Sequence, residues 1–187
     1  MSNASGRFWR CLGGLLVASI GEAAAVDSYS IDPKSTIPSF EVRHLLIAKQ
    51  HGRFGGTTGT ITLDRDTKTG SIEIIIDAAQ LDTGGDGMEE YLRAEDFFDV
   101  ARHPTMRYSS DKLIFEGERP IAAEGLLSLR GVTRPVLLAI KTFRCAERAC
   151  SADAWARIKR SDFGMNKWFP WVANDVLLKI QVEAVKN

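Results

Sequence analysis

Val176-Leu177-Leu178-Lys179-Ile180-Gln181-Val182-Glu183-Ala184-Val185 is the stretch that decides the fold class. Val176, Leu178, Ile180, Val182 and Ala184 share one face, while Lys179, Gln181 and Glu183 lie on the other. That period of two belongs to a strand with one apolar side. The same alternation recurs upstream. Thr36–His44 sets Pro38, Phe40 and Val42 against Ser39, Glu41 and Arg43. Gly59, Ile61 and Leu63 alternate with threonines, and Ile72, Ile74 and Ile76 are in phase across Ser71–Asp77. Met106–Ser110, Lys112–Glu116, Ile121–Arg130, Val136–Phe143 and Ala154–Arg160 are further strand candidates. Turn residues at Asp64–Gly70, Gly117, Gly131–Pro135 and Cys145–Cys150 punctuate them at short intervals. Eight or so antiparallel strands point to an all-β barrel or sandwich, and clean alternation fits a barrel with a dry lumen.

Helical periodicity occurs mainly once. Asp86, followed three residues later by Glu89, resembles a capping box, and Met88, Tyr91 and Leu92 share a helical face. A short helix over Glu89–Phe97 is expected there as an insertion between strands. The chain has 187 residues, enough for one domain with a buried core. A composition of 44% hydrophobic and 26% charged residues excludes disorder. Lys plus Arg number 24 and so do Asp plus Glu, which leaves no electrostatic footprint for nucleic acid.

The first 25 residues read as a targeting segment rather than as fold. Arg7 and Arg10 precede the apolar run Cys11–Ile20, and Ala23-Ala24-Ala25 forms an A-x-A-like cleavage site. The run is half the roughly 20 residues a spanning helix needs, so no stable membrane span is expected. Residues 1–25 are therefore expected to be a cleaved secretory signal, and 26–187 a single exported domain in the periplasm. In that oxidising compartment Cys145 and Cys150 read as a short structural disulfide. The chain-entropy model gives it about 2 kcal/mol. A redox pair or a metal site is the alternative, although zinc would need four ligands and no histidine or further cysteine lies near in sequence.

Catalytic motifs are sparse. No G-x-S-x-G elbow, H-E-x-x-H, P-loop or glycine-rich dinucleotide loop occurs. His44, His51 and His103 are the only histidines, and each reads as structural or as a hydrogen-bonding group at a barrel mouth. The carboxylates Glu89, Glu90, Glu95, Asp96 and Asp99 lie beside Arg93 and Arg102 and read as an ion-paired face. Neither a metal nor an organic cofactor is expected. The aromatic residues carry more. Phe97-Phe98 follow the helix, and Trp168-Phe169-Pro170-Trp171 precede the last strand. Either they plug one end of a barrel or they line the entrance of an apolar cavity.

Several motifs resemble those of the YceI family of exported, lipocalin-like polyisoprenoid-binding proteins. Tyr29-Ser30-Ile31-Asp32-Pro33-Lys34-Ser35 and Phe40-Glu41-Val42-Arg43-His44 are similar to its first strand, and Gly52-Arg53-Phe54 with Gly59 to its second. Leu81-Asp82-Thr83-Gly84, the run Leu92–Asp99 and His103-Pro104-Thr105 resemble its helical insertion. Gly125–Val136 resembles its central hairpin, and Arg160–Met165 with Asn174-Asp175-Val176 its end. Two positions depart. Lys34 occupies a place where relatives often carry histidine, and Tyr91 one where many have histidine before the leucine.

The resemblance implies an antiparallel eight-stranded lipocalin-like barrel around an elongated apolar tunnel. Its ligand would be a long-chain isoprenoid or another apolar lipid, touched by Phe40, Val42, His44, Phe54, Leu92, Phe97, Phe98, Trp168, Phe169 and Trp171. At about 0.8 kcal/mol per buried CH₂, ten carbons offer roughly 8 kcal/mol before association costs. Such a carrier would not be an enzyme, and a homodimer is compatible with it. The competing expectation is an exported redox or hydrolytic enzyme using His44 or Cys145 and Cys150. A third is a structural protein whose barrel is filled by its own side chains.

Overall fold

A computed structural model describes residues 26–45, 48–85 and 87–187. The expected signal segment and the capping residue Asp86 lie outside the described residues. The elements in chain order are β1 (Asp27–Ile31), β2 (Ile37–His44), β3 (Ala48–Phe54), β4 (Thr58–Asp64), β5 (Thr69–Asp77), β6 (Leu81–Asp82), α1 (Met88–Arg93), β7 (Thr105–Glu116), β8 (Arg119–Leu129), β9 (Val132–Cys145), β10 (Ala149–Lys159) and β11 (Val172–Lys186). Short 3-10 turns occupy Ala78–Gln80 and Arg160–Phe163.

All eleven strand segments join one antiparallel sheet, and pairing of β1 with β11 closes it. The segments reduce to the expected eight strand positions. β1 runs along the Ala184–Lys186 end of β11 and β2 along Val172–Gln181, so the two are one strand interrupted at residues 32–36. On their other side β4 pairs with β1, and β3 with β2. β5 pairs with β4, and β6 with β3. Beyond residue 77 the β5–β6 run leaves β7, and the α1 insertion lies over the place where they part.

The two ends of the barrel differ. At one end Tyr29, Leu63, Cys150 and Ala184 form a small buried cluster, flanked by Phe115, Phe143 and Cys145. These side chains plug that end. The main core cluster fills the walls toward the other end, where β2, β10 and the 3-10 turn over Arg160–Phe163 terminate.

Where strand boundaries differ from expectation, local backbone chemistry accounts for it. Met106–Ser110 and Lys112–Glu116 are one strand, broken only by an irregular register between Ser109 and Lys112. Gly131–Pro135 is not a loop. Arg130 and Gly131 both take positive φ, 53° and 72°, and Leu129 pairs with Val132. A two-residue turn with positive φ at both positions matches the strand twist, so β9 starts at once. β3 lacked an alternating signal because Gly52 stands on its inner face. A Cβ there would lie 2.4 Å from Phe40 Cε1, so the glycine is what admits the Phe40 ring.

The helix ends at Arg93 rather than Phe97. The chain folds back on it: Phe98 N–H donates to the Leu92 carbonyl, Phe97 N–H to Ala94, and Val100 N–H to Arg93. This return places two consecutive phenylalanines under the helix. Glu89 accepts from both the backbone N–H (2.7 Å) and the hydroxyl (2.5 Å) of Thr83, so it anchors the loop before the helix.

Cys145 and Cys150 face each other directly across the β9–β10 hairpin and are disulfide-bonded, with Cα atoms 4.1 Å apart. Native protein is expected to contain no reactive thiol from this pair on quantitative labelling without reductant. The double Cys145→Ser, Cys150→Ser variant should lose about 2 kcal/mol of stability in denaturant titration. Because the pair sits at the plugged end, ligand retention should be unchanged; loss of ligand in the folded variant would contradict that placement.

Candidate functional site

Inside the barrel lies a cavity of about 620 Å³, within the size range of small-molecule sites. Its wall is built by the inward positions of nearly every strand: Phe40 and Val42 of β2, Ile74 and Ile76 of β5, Leu127 and Leu129 of β8, and Val176, Leu178 and Ile180 of β11. Alternation makes this possible, since each second residue of a tilted strand faces the lumen. Phe98 enters from the insertion and is 8% exposed. Its ring centroid lies 5.8 Å from that of Phe40 and 5.3 Å from that of Phe54, the latter edge-on. Leu92 and Phe97 complete this aromatic side.

Polar groups within the cavity are mostly engaged with the backbone. Tyr108 hydroxyl donates to the carbonyls of Ala123 (2.9 Å) or Val136 (3.2 Å), and burial pushes its pKa up to about 12. Gly125 leaves the space for it, since a Cβ there would lie 2.6 Å from the Tyr108 hydroxyl. Ser39 hydroxyl donates to the Lys179 carbonyl at 3.1 Å. His44, exposed at the end of β2, and Gln50 of β3 supply polar lining at the open end. Among the described residues no carboxylate or thiol lines the cavity.

The open end is held by arginines that bond backbone carbonyls instead of carboxylates. Arg160, only 4% exposed, donates to Ala173 (3.0 Å), Val172 (3.0 Å) and Met165 (2.5 Å). Burial pulls its pKa below the ordinary guanidinium range. Arg130 donates to Gly164 and Glu95, both at 2.9 Å, and Arg93 to Ala79 (3.0 Å) and Leu81 (2.6 Å). A guanidinium carries five donors in a planar fork, which suits the irregular backbone of a barrel mouth. Ser161 and Asn174 tie the same segment reciprocally: Ser161 N–H donates to Asn174 Oδ1 at 3.0 Å, and Asn174 Nδ2 to the Ser161 hydroxyl at 2.9 Å.

Of the residues expected at the site, Phe40, Val42, His44, Phe54, Leu92, Phe97, Phe98 and Trp168 line the cavity. Phe169 and Trp171 do not. They stand outside it at 69% and 59% exposure, because they occupy the tip of the loop rather than its base. Trp168 belongs to both regions, being 51% exposed while its indole N–H donates to the Tyr91 hydroxyl. Tyr91 also packs at a tilt against Phe97, with centroids 4.9 Å apart. Lys34 lies exposed in the 32–36 interruption, away from the cavity lining.

The other candidate chemistries fall apart spatially. His51 is on the outer face of β3, 3.9 Å from Glu41, and His103 lies 3.9 Å from Asp99. Glu41 is held by Lys49, whose hydrogen bond is the main cause bringing its carboxyl down to about 2. Three of the five insertion carboxylates are ion-paired, Glu95 and Asp99 with Arg102 at 2.5 and 2.8 Å and Asp96 with Lys167. Glu89 is instead hydrogen-bonded to Thr83, and Glu90 has no ion pair among the described residues, because Arg93 turns to the backbone carbonyls of Ala79 and Leu81. Arg160, Gly52 and Tyr108 were not distinguished as site residues in the sequence. Arg160 stood there only at the end of a strand candidate and at the start of a family-like motif; the stretch without alternation between it and the last strand was the available signal.

Known proteins are similar to this chain in sequence and in fold. The chain is 28% identical over 180 residues to Protein YceI of Escherichia coli O6:H1, covering 92% of this chain and 93% of that protein. It is 29% identical to a UPF0312 protein of Serratia proteamaculans, again covering 92% and 93%. Among solved structures, Burkholderia cenocepacia BcnA superposes with a TM-score of 0.74 at 22% identity, covering 82% of this chain and 98% of its own. A polyisoprenoid binding domain from Saccharophagus degradans, implicated in plant cell wall breakdown, superposes with 0.66 at 15% identity, covering 85% and 98%. These two establish likeness of fold. The YceI-like domain model matches residues 29–184, from the strand that closes the barrel to the buried end of β11, and the chain thus belongs to the YceI-like domain family.

Proposed function

We propose that this protein binds a long-chain isoprenoid or similar amphiphilic lipid in its barrel and carries it through the periplasm without catalysing a reaction. The observation that carries this reading is the cavity of about 620 Å³ whose wall is mostly apolar, whose inner hydroxyls of Ser39 and Tyr108 are bonded to backbone carbonyls, and whose His44 and Gln50 stand at the open end. An apolar chain gains about 0.8 kcal/mol per buried CH₂ there, with no charged anchor required. The tail lies inward, and His44 and Gln50 meet the head group at the mouth. Likeness of fold to the polyisoprenoid binding domain of Saccharophagus degradans supports isoprenoids as the ligand class. Mass spectrometry of an organic extract from protein purified out of its native host tests it. A stoichiometric long-chain lipid is expected; an extract without one, from protein whose cavity also rejects added prenyl lipids, would sink the reading.

Export supplies the compartment. With Arg7, Arg10 and the Cys11–Ile20 run removed, mature protein is expected to begin at or near Val26. Intact mass of the exported protein measures this directly, and retention of residues 1–25 would reject it.

A further inference from the structure

The aromatic tip left outside the cavity has a use of its own. Trp168, Phe169 and Trp171 are 51%, 69% and 59% exposed within four residues, next to Leu45 at 49%. Two main-chain hydrogen bonds fix them as a paired edge: Leu45 N–H donates to the Trp171 carbonyl at 2.7 Å, and Val172 N–H to that of Trp168 at 2.8 Å. Arg160 bonds the carbonyls on either side of the tip, at Met165 and Val172. The rings are thus presented on a pinned loop. Clustered exposed aromatics mark an interaction surface, unlike apolar residues scattered over a wall.

We propose that this aromatic lip inserts into the headgroup layer of a phospholipid bilayer and seats the cavity mouth on the membrane. Two observations, added to the chemistry of the aromatic residues, favour a bilayer over a protein partner. Tryptophan and phenylalanine, amphipathic or apolar, concentrate at membrane interfaces. Trp168 lines the cavity while reaching the lip, so the exposed patch adjoins the lumen through that ring. Beside the lip, exposed Arg43 faces Lys49 across β2 and β3. Lys49 has Glu41 at 2.7 Å, whereas Arg43 has no carboxylate within ion-pairing distance among the described residues. Arg43 is thus the charge on this edge left for an anionic headgroup. A lipid moving between bilayer and barrel along this path need not cross water. That consequence rests on the lipid-carrier reading; the docking does not.

Flotation of the mature protein with vesicles of phosphatidylethanolamine and phosphatidylglycerol tests the proposal. Wild type should float, with tryptophan emission shifted to the blue and quenched by brominated lipid. The Phe169→Glu, Trp171→Glu variant, shown folded by circular dichroism, should lose binding by about tenfold or more. Arg43→Glu should weaken binding severalfold at low salt and little at high salt. Phe98→Asp acts inside the barrel and should float as wild type does, even when its cavity is empty. Failure of the cavity reading is thereby distinguishable from failure of docking. Absence of wild-type flotation, or unchanged flotation of the folded lip variant, would overturn the proposal. So would a dimer that the lip variant dissociates while vesicle binding is absent, since the lip would then cover a second copy.

Discussion

Replacing Phe98 with Asp is expected to empty the barrel of lipid in a protein that still folds. Phe98 contacts Phe40 and Phe54 inside the cavity and is 8% exposed, so the new carboxylate would face an apolar lumen. Burying an ionised carboxylate without a partner costs several kcal/mol, and the one guanidinium lining the cavity, that of Arg160, is already committed to the carbonyls of Met165, Val172 and Ala173. Water drawn in to solvate the charge would occupy the space of the lipid tail. Most bound lipid should therefore vanish from organic extracts, with some loss of thermal stability. Circular dichroism of the same sample separates emptying from unfolding. The contrasting variant is His44→Ala. It removes a group at the mouth, so lipid should stay, with head-group preference changing by no more than about tenfold, or 1.4 kcal/mol. Lipid retained in a folded Phe98→Asp and abolished in a folded His44→Ala would make the site polar and directional. The lipid-carrier reading would then give way to an enzyme built around His44.

The second large effect is expected at Arg160. Its guanidinium is nearly fully buried and donates to three carbonyls, those of Met165, Val172 and Ala173. Arg160→Met keeps much of the apolar stem but leaves those acceptors without their donor. At about 1–3 kcal/mol for each stranded buried acceptor, partly offset by the desolvation no longer demanded of the cation, about 3 kcal/mol should be lost. Denaturant titration reads the total, and amide exchange reads the place. Residues 164–173 should exchange much faster while β7 and β8 stay protected. Arg160→Lys should recover less than half, because one ammonium cannot reproduce a planar fork across three carbonyls. A fully stable Arg160→Met with a protected loop would show that the carbonyls find other donors and that the lip is held elsewhere.

The sequence by itself determined the class of fold and most of the lumen. Phe40, Val42, Ile74, Ile76, Val176, Leu178 and Ile180 sit where period two put them, because a strand buries every second side chain whatever its neighbours are. The antiparallel hairpins followed from turn residues, and the Cys145–Cys150 bridge from proximity in sequence. Strand β3 gave no alternating signal of its own and was marked only by the resemblance of Gly52-Arg53-Phe54, since its inner face carries Gly52 to accommodate a ring from another strand. The helix end was equally illegible: the helix was expected to reach Phe97, and only burial of Phe98 against β2 and β3 turns the chain back after Arg93. The aromatic loop allowed two readings, plug or entrance. Tertiary structure divided it, with Trp168 on the cavity and Phe169 and Trp171 outside, while the opposite end is plugged by Tyr29, Leu63, Cys150 and Ala184. Local pattern specifies which side chains leave water; which end of the barrel they close depends on contacts between residues far apart in the chain, and Arg160 shows why. It is a charge in the sequence and becomes the clasp of the mouth only when β10 and β11 bring three carbonyls within its reach.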